Sequence, residues 1–187
     1  MPYPPERADG KIESVITSLE MFARPTTPRL PPPRAGLTIV EAVRPTVSFY
    51  RYLYDTIGKE WLWTDRKKLG DAALDAIIKH PDVSVHVLYA DGVPAGYAEL
   101  DARAKPEIEL AYFGILPEFI GQKLGPYLLS FAIHEAYARN PSRFWVHTCT
   151  LDHPAALAMY QRAGFRAFKT EVEIEDDPRV TGLVARG

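Results

Sequence analysis

Cysteine is almost absent from this chain: one residue, Cys149, in 187. An internal disulfide is therefore impossible, and a disulfide-stapled scaffold is excluded. Long apolar runs are also missing. None approaches the roughly 18 residues that a membrane-spanning helix needs, so no membrane partner is expected. Positive charge is not in excess either. Lysine and arginine number 22 against 24 acidic residues, a net charge of −2. A nucleic-acid-binding surface normally announces itself as a basic stripe, so no nucleic-acid partner is expected. The N-terminus has no apolar core of the signal-peptide kind, and the cytoplasm is the expected compartment. The remainder, 47% hydrophobic and 25% charged, is ordinary for a globular domain long enough to bury a real core.

Proline is plentiful but concentrated. Eight of the 17 fall within residues 1–33. PTTPRLPPPRAG, residues 25–36, reads as a stiff, extended connector, because consecutive prolines favour polyproline II. This sets a proline-rich N-terminal extension, 1–36, apart from a domain at 37–187. Between the proline clusters, KIESVITSLEMF (11–22) fits either an edge strand or a short helix. The extension has two roles open to it: lying across the domain, or joining two copies in a homodimer.

From Leu37 the pattern is regular. LTIVEAV is a β-branched strand. Pro45-Thr46 is a cap-like start for VSFYRYLYDTIG, whose Val47, Tyr50, Tyr54 and Ile57 recur at helical spacing, and Gly58 can end it. LGDAALDAIIKHPD (69–82) predicts a second helix. SVHVLYADGVPAGYAELD (84–101) predicts a hairpin about Asp91-Gly92. EIELAYFGI (107–115) is a buried strand, and a helix follows from about Leu124, with Leu124, Leu128, Phe131 and Ala132 on one stripe. RFWVHTCT (143–150) is a strand. HPAALAMYQRAGF holds a short helix closed by Gly164, and FRAFKTEVEI (165–174) is the last strand. The order β-α-α-β-β-β-α-β-α-β predicts an α/β fold, a mixed central sheet with helices on both faces.

Two stretches carry chemistry. In LPEFIGQKLGPYLL (116–129), Gly121 and Gly125 stand four apart between the strand and the helix. A strand, a glycine-containing turn and a helix N-terminus together present backbone N–H groups to a phosphate, aided by about half a positive charge from the helix dipole. In DHPAALAMYQRAGF (152–165), Ala156, Tyr160, Gly164 and Phe165 stand at fixed intervals. These two motifs, with the element order over 37–174, resemble the GCN5-related N-acetyltransferases. The loop departs from that family's pattern at Ile120, where arginine or glutamine is usual, and at Lys123, where the middle glycine is usual. Pro126 has no N–H to give.

The resemblance implies an acyl-CoA N-acyltransferase fold whose sheet splays between strands 4 and 5, counted from Leu37. It implies acetyl-CoA as cosubstrate, with its pyrophosphate on the N–H groups of Gly121, Gln122, Lys123, Leu124 and Gly125. Its pantetheine arm would bond the backbone near Gly114, Ile115 and Leu116. Gly114 would allow that close approach. It implies that Tyr160 gives its proton to the departing thiolate, a reasonable task for a phenol that is neutral at pH 7.

The acceptor amine must lose a proton, so a base is expected. Glu107 and Glu109 share one face of an otherwise apolar strand. Carboxylates there call for a reason, catalytic or as partners of a basic residue. The resemblance favours Glu109 as the base or the group that orients it. His147, Cys149, Asp152 and His153 match no strong zinc spacing, and no metal is expected. Asp152 or His153 has a simpler task as a helix cap. Residues 49–68 are rich in aromatics (Tyr50, Tyr52, Tyr54, Trp61, Trp63) and acids (Asp55, Glu60, Asp65), which suits a small organic amine. At least half of those aromatics are expected to pack the helix onto the sheet. The expected protein is an acetyl-CoA-dependent N-acetyltransferase acting by direct attack. The alternative is a non-catalytic acyl-CoA-binding module of the same fold.

Overall fold

A computed structural model describes residues 7–184. Seven strands form one mixed sheet in the order β2-β3-β4-β5-β6-β1-β7. They are β1 (Lys11–Met21), β2 (Leu37–Glu41), β3 (Val83–Ala90), β4 (Val93–Asp101), β5 (Glu107–Ile115), β6 (Arg143–Cys149) and β7 (Arg166–Asp176). The helices are α1 (Val47–Gly58), α2 (Asp71–Ile78), α3 (Leu124–Ala138) and α4 (Ala156–Arg162).

Local chemistry accounts for the boundaries. Thr46 caps α1, its hydroxyl accepting the Phe49 N–H at 3.3 Å. This satisfies one of the helix's first free donors. Gly58 ends α1 for a packing reason as well. A Cβ there would lie 2.5 Å from Cβ of Trp63, so only glycine lets the chain fold back and seat that indole. Asp91 and Gly92 both adopt positive φ, 52° and 91°, as a two-residue hairpin turn requires.

Residues 11–21 are a strand, and an interior one rather than an edge. β1 pairs antiparallel with β6 and with β7. Its periodicity is ambiguous because its surroundings change along its length. Leu19 and Met21 are buried, whereas Glu13 is exposed and residues 14–18 are half-buried. The proline-rich segment thus contributes a strand to the sheet that holds the site.

Two cores sandwich the sheet. On one face α1 and α2 pack Tyr50, Leu53, Ile57, Leu74 and Ile78 against Val85, Val87 and Tyr97. On the other, α3 packs Leu124, Leu128, Leu129, Ala132 and Ile133 against Leu100, Leu110, Phe144 and Val146, with Tyr160 and Phe165 beside them. Phe131 lies off this buried stripe, half-exposed beneath the guanidinium of Arg29, 4.5 Å from its ring centre.

The feature that positions the site is a parting of strands. β5 and β6 pair in parallel only at Glu107↔Arg143, Ile108↔Phe144 and Glu109↔Trp145. Beyond Glu109 they separate, and the outer edge of residues 110–115 is left unpaired.

Candidate active site

A cavity of about 600 Å³ opens where β5 and β6 part. One end is the turn into α3, with Gly121, Lys123, Leu124 and Gly125 on its lining. Gly121 and Lys123 both hold positive φ, 86° and 61°. Lys123 thus adopts the backbone in which the family's usual glycine costs nothing. The N–H of Ile120 turns back on the Pro117 carbonyl and that of Gln122 on the Phe119 carbonyl. Those of residues 121, 123, 124 and 125 make no hydrogen bond among the described residues, which leaves four donors at the end of α3. Gln122 is therefore a correction. Its N–H is spent within the turn, its side chain donates to the Glu118 carbonyl at 3.3 Å, and it is not on the lining.

Leu116 is also not on the lining. Its N–H goes to the Ala95 carbonyl at 2.9 Å and its carbonyl accepts from Phe119. Both backbone groups are committed. Ile115 precedes it by one residue, so its N–H points the opposite way, toward the parted edge, and Ile115 lines the cavity. Gly114 also lines the cavity, and it has a packing reason besides. A Cβ there would sit 2.3 Å from Cγ2 of Ile57, so the glycine lets α1 close on the sheet.

Tyr160 projects from α4 into this cavity. The residue is 5% exposed, with its ring edge-on to Phe113 and Phe165 at 6.2 and 6.0 Å. Its hydroxyl makes no hydrogen bond among the described residues. Burial pushes the phenol far above its usual range, so it stays protonated throughout the physiological range. Cys149 also lines the cavity, but burial pushes its thiol up to about 11. A thiolate nucleophile is thereby disfavoured.

Glu109 does not reach the lining. Its carboxylate accepts from Nδ1 of His147 at 3.2 Å, and His147 is the member of the pair that faces the cavity. The hydrogen bond to Glu109 raises the imidazole above its ordinary value. Glu107 stands at the closed end of the strand pair, 3.5 Å from the guanidinium of Arg143, and takes the structural role.

Asp152 is a tie rather than a helix cap. It accepts from Thr148 Oγ1 at 2.8 Å, from the Cys149 N–H at 3.0 Å and, across 89 residues of chain, from Nε1 of Trp63 at 3.1 Å. His153 takes the Ala155 N–H at 3.1 Å just before α4. Pro154 precedes the helix.

The wall opposite Tyr160 is the segment between α1 and α2. Tyr54, Trp61, Trp63, Asp65 and Tyr112 all lie on the lining. Tyr50 and Tyr54 are core residues, while Tyr52 is 48% exposed. A buried ion pair pins this wall to the sheet. Arg66 donates to Glu99 at 2.6 Å, Glu99 also accepts from the Tyr50 hydroxyl, and the Arg66 backbone N–H donates to Tyr54. Burial pushes the Glu99 carboxyl up, against the pull of Arg66 and Tyr50. Sequence reasoning missed this network. Its signal was the same as for Glu109, a carboxylate in an apolar strand, here AGYAEL. No group of His, Cys, Asp and Glu among the described residues is arranged to hold a metal, and no helix among them is long and apolar enough to cross a membrane.

Solved structures share this architecture. A GCN5-related N-acetyltransferase from Kribbella flavida superposes with a TM-score of 0.56 at 20% identity, covering 92% of this chain and 63% of that one. One from Sphaerobacter thermophilus gives 0.63 at 15% identity, covering 87% and 51%. The ribosomal-protein-S18-alanine N-acetyltransferase from Escherichia coli gives 0.58 at 17% identity, covering 74% and 90%. The chain thus spans between half and two thirds of the length of the first two. No curated protein matches the sequence. The profile of the acetyltransferase (GNAT) family matches residues 49–165. That span runs from α1 through the turn at 121–125 to Phe165 and covers more than half of the chain, so the chain belongs to the GNAT acetyltransferase family.

Proposed function

We propose that this chain transfers an acetyl group from acetyl-CoA to the amine of a small molecule by direct attack, without a covalent enzyme intermediate. The observation that carries the reading is the Tyr160 hydroxyl: protonated, opening onto the cavity and without a partner among the described residues, with four uncommitted amide N–H groups at one end of the same cavity.

The CoA pyrophosphate would lie on the N–H groups of Gly121, Lys123, Leu124 and Gly125, with the Lys123 ammonium nearby. The thioester carbonyl would accept from the Ile115 N–H. The ammonium form of the acceptor would lose its proton to His147, directly or through water, with Glu109 holding the ring. Tyr160 would then protonate the departing thiolate and regain a proton from the acceptor nitrogen, which sheds its second proton as the amide forms. The aromatic wall of Trp61, Trp63 and Tyr112, with Asp65 and Glu173 on the same lining, favours a cationic acceptor.

The first experiment measures CoA release and acetylated product by mass spectrometry across amino acids, polyamines, aromatic amines, aminoglycosides and short peptides. Turnover of a small amine supports the proposal. Acetyl-CoA binding with no turnover of any acceptor favours the binding-module reading, to which the departures at Ile120 and Lys123 belong.

Two variants test the parts. Gly121 holds φ of +86° with open space around its Cα, so Gly121→Val strains the turn without a clash. It is expected to weaken acetyl-CoA binding about tenfold, roughly 1.4 kcal/mol, and, through the backbone strain, to lower the melting temperature by several degrees while the chain stays folded at the assay temperature. Unchanged affinity by titration calorimetry would place the pyrophosphate elsewhere. The Glu109→Gln variant addresses the base. His147 must be neutral to accept a proton, so kcat/KM rises as pH passes upward through its pKa. Glu109 raises that pKa, so removing the carboxylate charge is expected to move the rising limb to lower pH and reduce the plateau. A limb that stays in place sinks the His147–Glu109 assignment.

A further inference from the structure

The parting of β5 and β6 divides the site. The acceptor wall, residues 61–65, follows α1 and belongs to the β5 side. Arg66 fastens it to Glu99 of β4, and the Trp63 ring lies 5.4 Å from that of Tyr112 on β5. Tyr160 belongs to the β6 side, on the helix into which β6 leads. Transfer needs both at one carbonyl carbon, yet beyond Glu109 the two strands no longer pair. Another contact must set their spacing.

Three consecutive residues of the wall meet three consecutive residues of the loop after β6. The rings of Trp61 and His153 are 5.2 Å apart. Leu62 shares a small apolar cluster with Ile12, Val184 and Leu151. Trp63 Nε1 donates to Oδ1 of Asp152 at 3.1 Å. Leu62 holds φ of +56°, a left-handed backbone that a leucine keeps only where its surroundings impose it.

Asp152 is the fixed end of this contact. Its Oδ2 accepts from Thr148 Oγ1 at 2.8 Å and from the Cys149 N–H at 3.0 Å, which locks it to the end of β6. Its own N–H donates to the Cys149 carbonyl, and the Ala156 N–H donates to the His153 carbonyl. The loop thus runs as one hydrogen-bonded piece into α4 and Tyr160.

We infer that Asp152 is a positioning residue for acetyl transfer: one carboxylate oxygen anchors it to β6, and the other, through Trp63, holds the acceptor wall in register with Tyr160 across the parted strands. This rests on the reading that the wall receives the amine and that Tyr160 protonates the thiolate. The turn at 121–125 makes no hydrogen bond with Asp152, so the tie acts on the chemical step and not on acetyl-CoA binding.

Asp152→Asn is the selective test. An amide has one acceptor oxygen, and the donors of Thr148 and Cys149 claim it. Its NH2 group then faces the Trp63 N–H, donor against donor, and only the bond across the cavity is lost. With an amine that the wild type turns over, kcat is expected to fall about tenfold or more, because a small misplacement costs up to about a hundredfold. The KM for acetyl-CoA is expected to stay close to that of the wild type. Trp63→Phe removes the donor and leaves the carboxylate, and is expected to do the same. The double variant is expected to be no slower than the slower single variant, because both changes remove one bond. Hydrogen exchange, which needs no turnover, is expected to quicken at 61–65 in each variant and to stay unchanged at 121–125. Wild-type kcat in Asp152→Asn, losses that multiply in the double variant, or an acetyl-CoA KM that rises as kcat falls each overturns the role of Asp152 alone. A wild-type chain that turns over no amine overturns the underlying reading, and this role with it.

Discussion

Tyr160→Phe is expected to lower kcat by about two to four orders of magnitude, the usual contribution of a positioned proton donor, while acetyl-CoA affinity changes little. The reason is the position of the hydroxyl. The ring is wedged against Phe113 and Phe165, and phenylalanine keeps those contacts. The hydroxyl has no partner among the described residues, so removing it breaks no hydrogen bond and leaves no group stranded. A purely structural tyrosine would therefore tolerate the change, or gain stability from it. Loss of turnover with unchanged CoA affinity and an unchanged melt places the hydroxyl on the leaving group. Turnover within a factor of a few of the wild type removes Tyr160 from the mechanism.

The second large effect concerns stability. Glu99 is fully buried and Arg66 nearly so. Arg66→Met leaves the Glu99 carboxylate in the core with only the Tyr50 hydroxyl as partner. Breaking such a pair costs about 3–5 kcal/mol. For a chain of this size, about 2–4 °C per kcal/mol gives a fall in melting temperature of roughly 6–20 °C. The double change Arg66→Met/Glu99→Leu removes both charges and is expected to recover much of the loss, because desolvating the pair is itself expensive. The pair also fixes the wall that carries Trp63 and Asp65, so the double variant is expected to raise the acceptor KM more than that of acetyl-CoA. A single variant that melts like the wild type would mean that the wall is held by other contacts, such as Trp63 on Asp152.

The helices and strands from Leu37 onward were legible because each carries its own punctuation. Thr46, Asp91-Gly92 and Gly164 act through bonds and dihedrals within a few residues of themselves. The turn at 121–125 and Tyr160 were legible for a related reason: each is one end of a short motif whose spacing is set by a single helix. Leu116 and Gln122 were misplaced because spacing says which residues are near a turn, not where their N–H groups point. The Leu116 amide is taken by Ala95 of β4, and nothing in the local sequence reveals that neighbour.

The sequence by itself determined the elements, their order, and the glycine turn and tyrosine that line the cavity. These depend on propensity, capping and periodicity, which are short-range. Tertiary structure alone decided the rest. It made residues 11–21 an interior strand, because that segment finds its hydrogen bonds on β6 and β7, more than a hundred residues away. It set Glu109 behind His147, because the two strands stay paired only as far as Trp145. It bound Arg66 to Glu99 and Trp63 to Asp152, contacts whose partners are 33 and 89 residues apart. Each of these is a pairing between distant segments, and such pairings follow from how the whole chain closes on its core rather than from any local pattern of residues.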